Sequence, residues 1–157
     1  TVFCNFVTVM GKQGSEFEFK QERDNDLMDV YRLAMKNAKY PVNLTEILTR
    51  VVNSPSKRFW VSSERASNVI SEMHSGKNLE GMKLNNKLMF REIYRRVKQM
   101  QNIPQYTNYR LSELVSIVIE QPAPRFYITP ESAKIIIHHI KKRECYKQRL
   151  QRLPFLH

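Results

Sequence analysis

Apolar residues at helical spacing predict three helices in the first half of the chain. The first helix begins at residues 24–26, whose acidic and amide side chains are suited to capping a helix N-terminus. The second helix covers about residues 45–53 and ends before a proline. The third begins at a serine cap, either Ser62 or Ser63, and Gly76 ends it.

The second half of the chain repeats this plan. A long helix begins near Asn86, and a shorter helix follows a cap at Ser112. The last helix begins at residues 129–131, where a threonine cap precedes a proline and an acid, and it continues to about Leu150. These patterns together predict an all-α chain.

Two segments of the sequence, 51–73 and 118–140, align without a gap at a constant offset of 67 positions. Both carry an arginine, an aromatic pair, an aliphatic residue and a hydroxyl in the same order. Chance does not readily give such a match, so the sequence predicts an internal duplication. The identical pairs are Pro55 and Pro122, Arg58 and Arg125, Phe59 and Phe126, Glu64 and Glu131, Ala66 and Ala133, and Ile70 and Ile137.

The duplication divides the chain into two tandem three-helix lobes, at 23–76 and 87–153, joined by a polar linker at 77–86. Three short helices around one core resemble the plan of helix-turn-helix domains, although the loop before each third helix is longer than the usual turn. The second lobe carries a basic extension of its last helix. The N-terminal arm, 1–22, has two open interpretations, a small β-hairpin or a disordered or docking arm.

The composition of the chain narrows the classes of function that it can have. The 157 residues carry a formal net charge of +11 and a pI of about 9.8, and 41% of them are hydrophobic, which is enough for a packed core. Such a positive excess points first to nucleic acid, the alternative being a basic protein without that partner. No apolar run approaches the roughly 20 residues of a membrane span. Cys4 and Cys145 lie far apart without a C-x-x-C motif, which favours reduced thiols in a cytoplasmic protein.

In a DNA-binding protein of this plan, the third helix of each lobe is the one expected to enter a DNA groove and contact the bases. In the first lobe it presents Arg65 and Asn68, which are residue types that make bidentate contacts with guanine and adenine. In the second lobe it is more basic and suits phosphate. Those candidate phosphate contacts are Lys134, His138, Lys141, Lys142 and Arg143. The alternative for both faces is an ordinary solvated helix surface.

Two further sets are candidate contacts. Four cations at helical spacing form a stripe on the first helix of the second lobe, either for phosphate or as a solvated face: Lys87, Arg91, Arg95 and Lys98. Arg58 and Arg125 each precede an aromatic pair, which suggests a phosphate clamp or a platform for unpaired bases. The competing interpretation, which the repetition favours, is that these strings serve the fold.

The sequence shows no glycine-rich phosphate loop, no serine elbow and no clustered carboxylates. The adjacent residues His138 and His139 point in different directions on a helix, which is poor geometry for a metal. We therefore expect a non-enzymatic protein without metal or cofactor.

The expected function is nucleic-acid binding, with double-stranded DNA favoured over RNA. The alternative is a protein-interaction scaffold or accessory subunit of a larger assembly, including an assembly that itself contains nucleic acid. Its partner anchors would be exposed aromatic residues, namely Trp60, Tyr106, Tyr109 and Phe155.

Overall fold

A computed structural model describes residues 19–152 and confirms that this part of the chain is all-α. Within it, the only pairing of strand type is an isolated bridge, and a short 3-10 turn lies at Pro104–Tyr106. The helices are α1 (Lys20–Lys36), α2 (Leu44–Val52), α3 (Ser63–His74), α4 (Leu84–Gln101), α5 (Leu111–Ile119) and α6 (Pro130–Arg152). The hairpin or disordered arm expected before residue 19 lies outside the described residues.

The start of α1 differs from the prediction. The helix begins at Lys20, so residues 24–26 lie inside it and residues 20–22 do not belong to an arm. Asp24 and Asp26 are buried rather than capping, because each carboxylate has an interior partner. Asp24 accepts from the Arg23 guanidinium at 2.9 Å, and Asp26 accepts from the backbone amide of Lys57 at 2.9 Å.

The caps of α3 and α6 are as predicted. The Ser62 hydroxyl accepts from the amide of Arg65 at 3.3 Å, and the Thr129 hydroxyl accepts from the amide of Ser132 at 3.2 Å. Gly76 follows α3 with a φ of 85°, a left-handed conformation that glycine adopts without strain.

The start of α5 corrects the cap predicted at Ser112, which lies inside the helix. The Glu113 carboxylate instead accepts a hydrogen bond of 2.7 Å from the amide of Arg110, the residue before the helix. An acid in the first turn therefore satisfies a backbone donor that the predicted serine cap leaves free.

The helices form two hydrophobic clusters, and each takes its third helix from the other half of the chain. One cluster is built on α1, α2 and α6, and the other on α3, α4 and α5. The expectation that residues 23–76 and 87–153 each enclose a core of their own is therefore corrected. The division of the chain at 77–86 stays a prediction.

The crossing is made by the two loops that precede α3 and α6. Ser56 and Ala123 exchange two backbone hydrogen bonds of 3.0 Å in an isolated antiparallel bridge. Beyond this bridge, the Phe59 amide donates to the carbonyl of Ile119 at the end of α5. The Phe126 amide donates to the carbonyl of Val52 at the end of α2. Each loop thus passes the other and delivers its helix to the opposite cluster.

The two aromatic pairs hold this crossing, since each pair divides between the clusters. Phe59 and Tyr127 lie in the α3–α4–α5 cluster with ring centroids 6.1 Å apart, whereas Phe126 lies in the α1–α2–α6 cluster. Trp60 is half-buried and packs against the α1–α2–α6 cluster. The structure therefore assigns a packing role to the repeated aromatic string.

Among residues 19–152, none of the helices combines the length and the apolar character that crossing a bilayer requires.

Candidate nucleic-acid interface

The main basic element is α6. Its inward face is apolar, with Ala133, Ile137 and Ile140 buried in the α1–α2–α6 cluster. Helical periodicity therefore places the intervening cations outside. The exposed side chains on this outer face include Lys134, His138, His139, Lys141, Lys142, Arg143, Tyr146 and Lys147.

A groove runs between α6 and the start of α1. It is lined by Lys20 and Arg23 from α1 and by His139 and Arg143 from α6, with Ile135 among the apolar residues. Contacts further along the same two helices hold them together. Arg32 pairs with Glu144 at 2.6 Å, and Lys141 donates to the Tyr31 hydroxyl at 3.0 Å.

The groove continues in both directions. Toward the loops, Lys20 and Arg23 also line a cavity that Arg65 of α3 and Asn86 of α4 share. Toward the C-terminal end of α6, His139 and Arg143 also line a depression with other basic residues. We call the combined set the basic surface, and its members are Arg65, Lys20, Arg23, His139, Lys142, Arg143 and Lys147.

Most cations of the basic surface are not neutralised by nearby acids. Lys142, Arg143 and Lys147 have no ion pair with any residue in 19–151. Arg23 does pair with Asp24, which itself lines the groove, and Glu144 lines a neighbouring depression beside Arg143. The excess charge still accumulates on one side of α6, as phosphate binding requires.

Of the predicted residues on α6, Lys142 and Arg143 belong to the basic surface. The other three, Lys134, His138 and Lys141, line another groove beside Tyr31 and Leu44, which shares only Ile135 and His139 with the groove between α6 and α1. Lys141 also lies 4.6 Å from the centre of the Tyr31 ring, so it helps to fix α6 against α1. In the first repeat, Arg65 joins the basic surface and Asn68 is exposed on α3.

The predicted stripe on α4 is split by local partners. Arg95 donates to Glu92 at 2.6 and 2.9 Å, and the Lys98 ammonium lies 3.3 Å from the ring nitrogen of His74. The hydrogen bond from Arg95 is the largest cause that lowers the pKa of Glu92, and the same contact raises the pKa of Arg95. Within residues 19–151, only Lys87 and Arg91 of the stripe have no acidic or other polar partner.

Arg58 and Arg125 serve the interior more than the surface. Arg58 is 14% exposed and pairs with Glu120 at 2.8 Å. The Arg125 guanidinium lies 5.6 Å from the centre of the Tyr127 ring and donates to the side-chain oxygen of Asn85 at 3.4 Å. Both contacts link the crossing loops to neighbouring helices, which favours the structural interpretation of these arginines.

The sequence pattern did not single out Lys20, Arg23 and His139, and it covered Lys147 only as part of the basic extension of the last helix. Residues 24–26 look like a cap, which places Lys20 in the arm and Arg23 at the first position of the first lobe, before the predicted helix. A helical wheel continued back from Leu27 would have extended α1 and placed Lys20 and Arg23 on it. His139 and Lys147 follow α6's outward periodicity and were available from the same pattern.

Comparisons of this chain with protein-family models, with curated proteins and with solved structures found no match. Within residues 19–151, no three histidine, cysteine, aspartate or glutamate side chains lie close enough together to hold a metal ion. The geometry and charge of the basic surface are therefore the features from which a function can be inferred.

Proposed function

We propose that this protein binds nucleic acid without acting as an enzyme, and that its principal target is double-stranded DNA. The observation that carries the proposal is the continuity of the basic surface from Arg65, across Lys20 and Arg23, to the outer face of α6. Four of these cations, Arg65, Lys142, Arg143 and Lys147, have no acidic partner within residues 19–151. Cations of this kind neutralise backbone phosphates and gain free energy by releasing counterions.

We also propose that the chain arose by duplication of a three-helix unit whose third helices are exchanged. The support is that interacting backbone positions recur at the sequence offset of 67, since the bonds from Phe59 to Ile119 and from Phe126 to Val52 are equivalent under it. The two third helices differ in charge, because Glu64 and Glu72 offset the positive charge of α3. The DNA-binding face is therefore asymmetric and centred on α6.

The test is the salt dependence of duplex binding, measured by fluorescence anisotropy with a labelled blunt duplex. Each neutralised phosphate contributes about 0.9 to the slope of log affinity against log salt concentration. We expect a steep negative slope, and a slope reduced by about 1.8 in the double variant Lys142→Gln, Arg143→Gln. The matched control is Lys77→Gln, an exposed lysine that pairs with Glu72 at 3.4 Å on another part of the molecule.

Binding that is absent or insensitive to salt would overturn the proposal. Tighter binding to duplex RNA of the same sequence would move the target from DNA to RNA. An equal loss in the Lys77→Gln variant would show that general charge, and not the basic surface, attracts the DNA.

A second candidate function, a protein-interaction scaffold, is favoured by exposed apolar side chains, of which Leu44 and Ile135 line one groove. Tyr40 is 94% exposed, Ile135 58%, and Val42 and Leu44 more than 40%. Of the predicted anchors, Trp60 and Tyr106 are half-buried and Tyr109 is exposed, while Phe155 lies outside the described residues. A cytoplasmic location also stays a prediction.

A further inference from the structure

A cavity of about 140 Å³ lies where the starts of α1, α3 and α4 meet the two crossing loops. One part of its wall is polar and basic, with Arg65 and Asn86 beside the Lys20 and Arg23 of the basic surface. The other part is apolar and aromatic. That part comprises Phe19, Trp60, Val61, Met89, Phe126, Tyr127 and Ile128.

Several polar groups around this cavity have no polar partner. The indole nitrogen of Trp60 is buried without a hydrogen-bond partner in the described part of the chain. The Arg65 guanidinium makes no hydrogen bond or ion pair with residues 19–151, and it lies 6.0 Å from the centre of the Phe90 ring. The Asn86 side chain likewise has no hydrogen bond there. Of these three groups only the Trp60 nitrogen is buried, and a buried polar group without a partner carries a free-energy cost that a ligand with a hydrogen-bonding edge can offset. Arg65 and Asn86 are half-buried, and their polar groups are free to bond to the same ligand.

Tyr127, which lies in the wall of this cavity, has an unusual backbone conformation. Its φ of 56° is left-handed, a conformation that is rare and strained for a bulky residue. The equivalent residue in the first loop, Trp60, has no such φ. Strained backbone of this kind concentrates at binding sites, and Tyr127 lines this cavity.

The size and the wall of the cavity select the ligand. An engineered cavity of about 150 Å³ accommodates one benzene ring, whereas a drug-sized ligand needs about 300 Å³ or more. A bare phosphate would leave the apolar wall unused, and a hydrocarbon ring would leave Arg65 and Asn86 unpaired. A single-ring nucleobase has apolar faces and hydrogen-bonding edges, so it suits both parts of the wall.

We propose that this cavity binds one unpaired pyrimidine base of a DNA strand whose backbone lies on the basic surface. The base packs against the aromatic and apolar wall, its edge meets Arg65 and Asn86, and its phosphate lies at the mouth beside Arg23. This inference rests on the proposed function, because the strand reaches the cavity along the basic surface. It predicts a preference for duplex ends or junctions with unpaired thymine or cytosine over fully paired DNA.

The test uses the only tryptophan of the chain, Trp60, whose fluorescence reports on the cavity directly. The probes are a blunt duplex, the same duplex with a short thymine overhang, and the same duplex with an adenine overhang. Stacking of a base on an aromatic side chain is worth at least about a fivefold gain in affinity. We expect the thymine overhang to bind at least about fivefold more tightly than the blunt duplex and to change Trp60 emission, which the blunt duplex leaves unchanged.

Variants assign the effect to the cavity. Arg65→Gln should reduce the ratio of overhang to blunt affinity toward one, and Asn86→Phe should do so by filling the space. Lys77→Gln, at an exposed lysine that lines no part of the cavity or of the basic surface, is the control and should keep the ratio. Circular dichroism checks that each variant is folded, and Arg65→Gln, the milder substitution, decides the result if Asn86→Phe is unfolded.

The outcomes separate the two proposals. If no duplex binds, the proposed function fails and this inference fails with it. If the blunt duplex binds with a steep salt slope but the overhang brings neither tighter binding nor a change in Trp60 emission, the cavity does not take a base. Equal affinity for adenine and thymine overhangs would overturn the pyrimidine assignment.

Discussion

Ser56 and Ala123 exchange two backbone hydrogen bonds, each 3.0 Å long, and they stand 67 positions apart in the sequence. This offset is the one that relates the two similar segments, so the bridge joins equivalent points of two loops that run past each other. Because each loop crosses at this point, α3 and α6 pack against helices that are distant in sequence. The same crossing brings α1, α3 and α4 together around the cavity that Trp60 lines.

The crossing predicts which helices lose local stability when a core residue is substituted. Phe59 is fully buried among α3, α4 and α5, so Phe59→Ala should cost about 3–5 kcal/mol of unfolding free energy. Hydrogen–deuterium exchange should rise first in α4 and α5, although Phe59 is closer in sequence to α2. Urea denaturation measures the loss and exchange mass spectrometry measures its location.

Phe126→Ala is the reciprocal variant and should loosen α1 and α2 instead. Faster exchange in α1 and α2 after Phe59→Ala would mean that the third helices are not exchanged in solution.

The sequence predicts the helices well because their periodicity and caps are local properties. Ser62, Thr129 and Gly76 act as the pattern indicates, and α2 begins and ends within one residue of the prediction. Periodicity shows which face of a helix is buried but not what covers it. In a chain with two similar halves, the apolar face of α3 fits the partner helices of either half, so the exchange could not be predicted locally.

The candidate site likewise has one part that local sequence patterns predict and one part that they do not. The outer face of α6 follows from periodicity, whereas the contribution of α1 depends on where that helix begins. Asp24 and Asp26 resemble capping residues in sequence, and only their long-range position shows that they are interior acids. Arg58 is similar, because its partner Glu120 is distant in sequence and could not be inferred from the motif.

Asp26 should contribute strongly to stability although it is a charged residue. It is 4% exposed, and its carboxylate accepts the amide hydrogen of Lys57 in the first crossing loop. The equivalent of Lys57 in the second loop is Pro124, which has no amide hydrogen, so no acid is required there. Asp26→Ala leaves the Lys57 amide without its acceptor and should cost about 1–3 kcal/mol, measured by urea denaturation.

The control for this variant is Asp29→Ala on the same helix. Its side chain is 59% exposed and lies 3.7 Å from the Arg32 guanidinium and 3.7 Å from the Lys57 ammonium, but it accepts no hydrogen bond from the Lys57 amide. Exposed pairs of this kind contribute little, so its removal should change stability by less than about 0.5 kcal/mol. Equal losses in the two variants would argue that the contact from Asp26 to the loop does not form.

Glu92 should make stability depend on pH in the acid range. Hydrogen bonds from Arg95 and then Arg96 lower its pKa in the folded protein, against the opposing effect of burial. A lowered folded pKa means that the contribution is complete above the unfolded pKa, near 4.5, and is lost as pH falls through the folded value. Glu92→Gln should therefore cost about 1 kcal/mol at pH 7, since this partly exposed pair is screened by solvent.

The measurement is thermal unfolding of the native protein and the Glu92→Gln variant from pH 7 down to pH 3. The difference between them should narrow once the pH falls below 4.5, because protonation of Glu92 mimics the substitution. A difference that stays constant across this range would show that the charge of Glu92 contributes nothing.

Arg58 and Arg143 should separate stability from DNA binding. Arg58 is 14% exposed and joins its loop to Glu120, whereas Arg143 is exposed and has no ion pair within residues 19–151. Arg58→Gln should lower the unfolding free energy by about 1–3 kcal/mol and leave the salt slope of duplex binding nearly unchanged. Arg143→Gln should leave unfolding within about 0.5 kcal/mol and reduce that slope by about 0.9. Urea denaturation and salt-dependent anisotropy on both variants provide the four values.

If Arg58→Gln reduced the slope as much as Arg143→Gln while the protein stayed folded, the loop arginine would belong to the DNA-binding surface. That surface would then extend beyond α6, the start of α1 and Arg65.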